Sequence, residues 1–331
     1  MGKGIGRQIQ FGIAKEASRG TAEAAATFWI PWISLALDEK IELAEHNQAY
    51  GVLEATSGAS IVKKWAEGSV SAPIGDKHFP LLLLSLLGAL ATADNADADA
   101  SVKDHTITVG QSAQHQSLTM FLDDPLAAAD YKHPLGVVEE INIKYEVGKM
   151  LEYEAKIRSK TGALVVAGLT PASTAENNFL SQHASFKLAT NLAGLAAASA
   201  LTVRSMNLKI AQAIQEDGAL GDVSPVDYTN GPVTIEGEIE AVWESESAYK
   251  AAVLAGTAKA MRMDLINSDV TIGTAAKPQI RVDLAKVIFS EITKAHNLDD
   301  IVMQTLAFKG HYSSSDAKMV SIVVTNTQAS Y

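Results

Sequence analysis

The side chains able to do chemistry in this 331-residue chain are scattered. Its eight histidines, at positions 46, 78, 105, 115, 133, 183, 296 and 311, form no H-x-H, H-x-x-x-H or H-E-x-x-H spacing, so none signals a metal-binding face. A surface position or a hydrogen-bonded place in the core is expected for each. Cysteine is absent, which removes disulfides, thiolate metal sites and a thiol nucleophile together. There is no G-x-S-x-G elbow and no G-x-x-x-x-G-K-[ST] phosphate loop. Gly2, Gly4 and Gly6 follow no strand and make no dinucleotide fingerprint. Asp94, Asp97 and Asp99 suggest a calcium loop, but counting from Asp97 the sixth position is Val102 instead of Gly and the twelfth is Thr108 instead of Glu. A solvated turn is expected there. Nothing sets an acid against a base in a pocket, so no catalytic, cofactor-binding or metal-binding residue is assigned and no enzyme is indicated.

The carboxylates are instead arranged in rows. Glu236, Glu238 and Glu240 share one face of one extended segment, and Glu152 and Glu154 share one face of another, with Glu140 and Glu146 beside them. A polar strand face is ordinarily just solvated. Several such faces, in a chain with 38 acidic and 27 basic residues and a net charge of −11, point to a more specific use. They suit the lining of a channel that a polyanion must traverse without sticking. The same charge excludes a duplex-DNA reader held by phosphate contacts, which needs a basic footprint.

The elements that position these rows read mostly as strands. Hydrophobic residues make up 47% of the chain, enough for a sizeable core. Residues 1–27 are Gly- and Ala-rich without a clear period and are expected to be an extended arm. Strands are expected at 41–44 and 50–56, and as an interrupted pair over 61–74. Leu81, Leu84, Leu87 and Leu90 recur every three residues, so 77–90 is expected to be a helix with Pro80 in its first turn. The apolar run 79–93 is too short to span a bilayer, which takes about 20 residues, and the N-terminus lacks a signal peptide's apolar stretch. A protein made in the cytoplasm, without membrane contact, is expected. After a polar loop at 94–104, strands follow at 106–109 and 118–122.

The clearest pattern lies at 136–160, where Ile141, Ile143, Tyr145 and Val147 alternate with polar residues, as do Leu151, Tyr153, Ala155 and Ile157 on the return. A hairpin with the loop Gly148-Lys149-Met150 would pair Tyr145 with Tyr153 and Ile141 with Ile157. It would also set Lys144 against Glu154 and Glu140 against Arg158, each worth about 0.2–1 kcal/mol. Residues 161–182 read as a linker. Strands resume at 184–190, 201–214, 233–243, 260–267, 280–292, 301–312 and 319–326, with a short helix at 247–254 capped by Ser245 or Ser247 and ended by Gly256. The order of elements repeats: Gly51, Gly68, Gly88 and Val138 in the first half are matched by Gly221, Gly237, Gly256 and Ile301 in the second. Two copies of one β-rich module, each with a single helix, are expected.

Three stretches resemble the tail tube (major tail) proteins of long-tailed, non-contractile bacteriophages. They are GIAKEASRGTAEAAATFWIPW (12–32), MNLKIAQAIQEDGALGDVSPVDYTNGPVTIEGEIEAVWES (206–245) and PQIRVDLAKVIFSEITKAHNLDDIVMQTLAFKGHYSSSDAKMVSIVVTN (278–326). The resemblance implies a mainly β (α+β) fold, a β-sandwich or barrel module with one flanking helix, here duplicated. It divides the chain into an arm at 1–30, a first tube module at 31–165, a linker at 166–182 and a second module with the C-terminal segment at 183–331. It further implies a structural virion protein that forms stacked rings, a negatively lined conduit for DNA ejection, assembled in the host cytoplasm. Six modules normally close such a ring, so a trimer of two-module chains is favoured over a hexamer. Tape measure, tail tip and tail terminator proteins are the implied partners, and DNA passes without specific binding. The lumen-facing candidates are Glu140, Glu146, Glu152, Glu154, Glu236, Glu238 and Glu240. The arm, through Lys15, Glu16, Arg19, Thr21, Trp29 and Trp32, is expected to make the ring-to-ring contact together with residues beyond about 312. The rival readings are a related secretion-type tube and a β-sandwich binding or adhesin module.

Overall fold

The computed structural model describes residues 5–125, 130–242, 253–295 and 302–331. The chain runs β1 (Gln10–Lys15), β2 (Phe28–Ile30), β3 (Ser34–Glu45), β4 (Ala59–Pro73), α1 (Phe79–Leu87), β5 (Gly88–Asp94), β6 (Lys103–Val109), β7 (Leu118–Asp123), β8 (Asp130–Glu146), β9 (Glu152–Ser159) and β10 (Ala163–Val165). It continues with β11 (Ala184–Ala189), β12 (Ala200–Leu201), β13 (Val203–Asp217), β14 (Asp227–Val242), β15 (Lys259–Ile266), β16 (Gln279–Ala295), β17 (Met303–His311) and β18 (Val320–Asn326). The fold is mainly β, with α1 the one α-helix whose full length falls among the described residues. All nine residues of α1 are buried, and the helix packs against β8, β5 and β6. Each fully buried Leu there contributes about 1.5–3 kcal/mol. Pro80 sits in the first turn of the helix and Gly88 ends it in the left-handed conformation, φ 90°. Leu90 therefore lies in β5, past the helix the Leu spacing suggested.

The two halves repeat one pairing scheme. In the first, β2 pairs β1, β1 pairs β7, β7 pairs β8, β8 pairs β10 and β9, β9 pairs β4, and β4 pairs β3. In the second, β12 pairs β11, β11 pairs β15, β15 pairs β16, β16 pairs β18 and β17, β17 pairs β14, and β14 pairs β13. The registers agree as well. Leu37–Gly68–Ile157–Val138 is one cross-sheet row, and Leu208–Gly237–Phe308–Phe289 is its counterpart. A bulge follows each row at the same step, between Val138 and Glu140 and between Phe289 and Glu291. Gly68 and Gly237 are thus true equivalents. Gly51 and Gly221, both with positive φ, occupy the loops of the equivalent hairpins. The counterpart of Val138 is Phe289 rather than Ile301, which lies outside the described residues. The spacing misled because the β5–β6 hairpin, paired to β18, has no second-half counterpart among the described residues.

Several expectations are corrected. Residues 50–56 form an exposed loop, not a strand. Residues 59–73 are one uninterrupted strand, in which Gly68 permits close approach: a Cβ there would lie 1.9 Å from the Ala36 carbonyl oxygen. Within the expected arm at 1–27, residues 10–15 are not coreless, since β1 pairs β2 and β7 and buries Phe11, Ile13 and Ala14. The 161–182 segment contains β10 and is pinned further on by hydrogen bonds from Asn177 to Asp76. In the β8–β9 hairpin the facing parity is as expected, but the register lies two residues away: Ile143 opposes Tyr153, Ile141 opposes Ala155 and Lys144 opposes Glu152. The turn puts Gly148, φ 81°, in its interior, with Lys149 N–H donating to the Glu146 carbonyl. The bulge then turns Arg158 to Glu139, leaving Glu140 to Lys156. The expected helix at 247–254 lies outside the described residues except for 253–254, which are helical, and Trp243 and the caps Ser245 and Ser247 lie outside them too.

Candidate functional site

Strands β4, β9, β8, β13, β14 and β17 are consecutive neighbours in one antiparallel sheet. Period-two alternation gives this sheet two faces. One face carries Ile141, Ile143, Tyr153, Leu208, Ile210, Ile239 and Leu306 into the main core. The other carries the charged rows. Glu146 opposes Ser205, which opposes Glu240, which opposes Thr305. The next row runs Glu152, Lys144, Asn207, Glu238, and the one after it Glu154, Asn142, Lys209, Glu236, Lys309. With Glu140 between Lys156 and Ala211, all seven glutamates singled out from the sequence stand on one continuous face. A groove of about 360 Å³ crosses it, lined by Lys144, Glu146, Ser205, Asn207, Glu238 and Glu240 among others.

The face is not uniformly acidic. Glu140 is bound by Lys209 at 3.0 Å and Lys156 at 3.2 Å. Partial burial opposes its ionisation, but the two ammonium groups outweigh that and hold the carboxyl below its ordinary range. Lys309 pairs with Glu236 at 3.0 Å, Lys149 with Glu146 at 2.8 Å, and the Ser205 hydroxyl donates to Glu240 at 2.9 Å. Such exposed pairs contribute about 0–1 kcal/mol each. Glu152, Glu154 and Glu238 have no ion-pair partner among the described residues. The surplus charge on the face is therefore negative and sits on these three and on Glu240, whose Ser205 hydroxyl partner is neutral.

A comparison with protein-family profiles matches residues 6–310 to the phage tail tube protein family. The chain belongs to this family. No curated protein matches it.

In this tail tube protein the residues named for ring-to-ring contact fall into two groups. Lys15 and Thr21 are exposed and Trp32 is half-buried, its indole N–H donating to the Ile9 carbonyl at 3.0 Å. Glu16 and Trp29 are buried, and Arg19 is largely so. Arg19 Nε binds Asp227 at 2.6 Å and its terminal nitrogens donate to the carbonyls of His115 and Tyr228. Glu16 accepts from the Gly20 and Leu135 amides at 2.7 and 2.8 Å and from the Ser117 and Thr119 hydroxyls at 2.6 and 3.1 Å. These two residues tie the chain's own start to its sheets.

Sequence reasoning missed these inner polar groups because most of their partners are about a hundred or more positions away. His78, His105, His115, His133 and His183 are buried within the tail tube protein. His78 Nδ1 contacts Glu176, and His105 bonds Thr92, Asn326 and the Gln328 carbonyl. Asp97 receives the amides of Asp99, Thr274, Ala275 and Ala276, which hold its carboxyl well below the usual range. The acidic loop thus clasps the 270s segment. Among the described residues no three His, Asp or Glu side chains are grouped to hold a metal ion, and no helix is long and apolar enough to cross a membrane.

Proposed function

We propose that this protein is the repeating unit of a phage tail tube, in which copies close into rings, rings stack, and the glutamate-bearing face lines the DNA conduit. The family match supports the tube. The observation that carries the lining is the convergence of Glu140, Glu146, Glu152, Glu154, Glu236, Glu238 and Glu240 on one face of a six-strand sheet that spans both repeats. A surface with surplus negative charge repels phosphates, so DNA slides where a basic groove would hold it. The duplicated pairing scheme favours three two-module chains per ring over six, with modules near 31–165 and 183–331 joined through 166–182. Such a unit is structural and not catalytic, belongs to the virion tail assembled in the host cytoplasm, and meets tape measure, tail tip and tail terminator proteins.

Stacking is better assigned to two exposed hairpin tips than to the arm alone. The β3–β4 tip exposes Tyr50, Val52 and Leu53, and the equivalent β13–β14 tip exposes Leu220. Tyr50, Val52 and Leu53 stand close together in one loop, and neighbouring exposed apolar side chains are the kind of surface that marks an interaction site. Electron microscopy of the purified protein tests the whole reading: rings or tubes are expected, and persistent monomers at high concentration reject it.

A further inference from the structure

The acidic loop between β5 and β6 carries carboxylates spaced as if for a cation, but the fold turns them apart. Asp94 pairs with Lys103, and Asp99 accepts from the Ser101 amide at 2.8 Å. Asp97 reaches across to the other repeat. Its Oδ1 accepts from the Thr274 amide at 3.0 Å, and its Oδ2 accepts from the Ala275 and Ala276 amides, each at 2.7 Å. From its own loop it accepts the Asp99 amide at 2.8 Å. Four backbone N–H groups therefore meet its charge, and no lysine or arginine pairs with it among the described residues.

Thr274, Ala275 and Ala276 belong to the connection between β15 and β16. Three successive N–H groups converge on one point only where the backbone curls into a concave nest, and such nests bind anions. The curl begins at Gly273, with φ 63°, and is closed by the Ile272 amide donating to the Ala276 carbonyl at 2.9 Å. A Cβ on Gly273 would lie 3.0 Å from Asp97 Oδ1 and 2.5 Å from Val102 Cγ2. Glycine there supplies both the left-handed backbone and the room for the carboxylate. The amide donors hold the Asp97 carboxyl well below its usual range, as donors to the charged form must.

We infer that the turn at 273–276 is a binding site for a carboxylate or a similarly small oxyanion, with Asp97 of the first repeat as its built-in ligand, and that a free anion takes the place of that side chain when it is removed. The site anchors an added element. The β5–β6 hairpin has no second-half counterpart among the described residues, and its β6 runs along β18 from Lys103 opposite Asn326 to Thr108 opposite Ser321. β18 has β16 on its other side, so the hairpin covers what would otherwise be a free strand edge. Asp97 lies past the last pair of that ladder and fixes the hairpin's tip to the second repeat. The site stands on the fold of a single chain and does not depend on assembly.

Amide hydrogen exchange and thermal unfolding of the full-length protein test this. In the unmodified protein the peptide spanning 270–279 should be protected and indifferent to formate. In Asp97→Ala the same peptide should exchange about tenfold faster at equal pH, because its amides have lost their acceptor. Saturating formate or acetate should restore the protection and raise the melting temperature along a saturable curve, whereas chloride at the same ionic strength should not. Asp97→Asn, equal in size and uncharged, should also lose protection but gain nothing from formate, since its side chain still fills the nest. If the alanine variant does not fold, exchange in the asparagine variant decides. Unchanged protection of 270–279 in Asp97→Asn, or a folded Asp97→Ala that responds to formate no more than to chloride, overturns the site.

Discussion

Glu16 is a buried carboxylate surrounded by donors rather than by a cation. Its four partners come from three separate stretches of chain, and one of them, the Leu135 amide, belongs to a buried residue held at φ 56°. Glu16→Ala would strand a buried amide and two buried hydroxyls, each costing about 1–3 kcal/mol when unpaired. A net loss of about 2–4 kcal/mol is expected by denaturant unfolding; a loss under about 0.5 kcal/mol would show that the node is dispensable. The buried histidines give a pH signature. Burial lowers the pKa of His105 and His133 from about 6.5, so the unfolded chain binds protons that the folded chain refuses. Their contribution is complete above about pH 6.5 and is lost as pH falls toward the lowered folded values. The melting temperature should thus drop on acidification below about 6.5, and His133→Gln should flatten that profile; an equally steep profile in the variant would reject its role. Neither feature was legible in the sequence, because nothing local announces that Glu16 is met by Ser117, Thr119 and Leu135 about a hundred residues on, or that His133 is buried.

At the scale of elements, the proposed stacking contact at the hairpin tips can be tested apart from ring closure. Removing residues 47–57 shortens an exposed loop without touching the paired part of β3–β4. The variant should still form single rings but not stacked tubes, as seen by negative-stain microscopy; unchanged tubes would return the stacking contact to other segments. Deleting residues 1–20 is a poorer experiment, since it also removes β1 from the sheet. The elements also show where sequence patterning is sufficient. Alternation in 137–157 fixed which side chains face inward, and the Leu spacing with Pro80 located α1. It did not fix the β8–β9 register, because slipping by two residues preserves every face and only the turn decides. The turn chosen keeps Gly148 at positive φ. Bulges shift register invisibly in the sequence, and only a second copy, at Phe289–Glu291, reveals the first at Val138–Glu140 as a built-in feature. The carboxylate face was legible for the same reason as the alternation, while the interleaved lysines that neutralise part of it become visible only when separate strands are placed side by side.

The whole molecule couples duplication to charge. Because the repeats are joined strand to strand, the polar faces of both merge into one surface, and a ring built from more such joints would extend that surface around a bore. The lysines at 144, 156, 209 and 309 keep this face from being a dense block of like charge, which would destabilise the sheet by self-repulsion. In the proposed tube, the surplus that would face a passing phosphate backbone is held by Glu240, hydrogen-bonded to Ser205, and by three glutamates without an ion pair, Glu152, Glu154 and Glu238. These three can be reversed without breaking an ion pair, unlike Glu236, which holds Lys309. E152K/E154K/E238K should therefore assemble normally and yet retain DNA, because each lysine that neutralises a phosphate releases condensed counterions and steepens the salt dependence of binding. Tubes of the unmodified protein should bind no DNA at low salt, whereas tubes of the triple variant should bind it at low salt and release it as salt rises. Equal, salt-insensitive behaviour of the two tubes would place this face away from the bore.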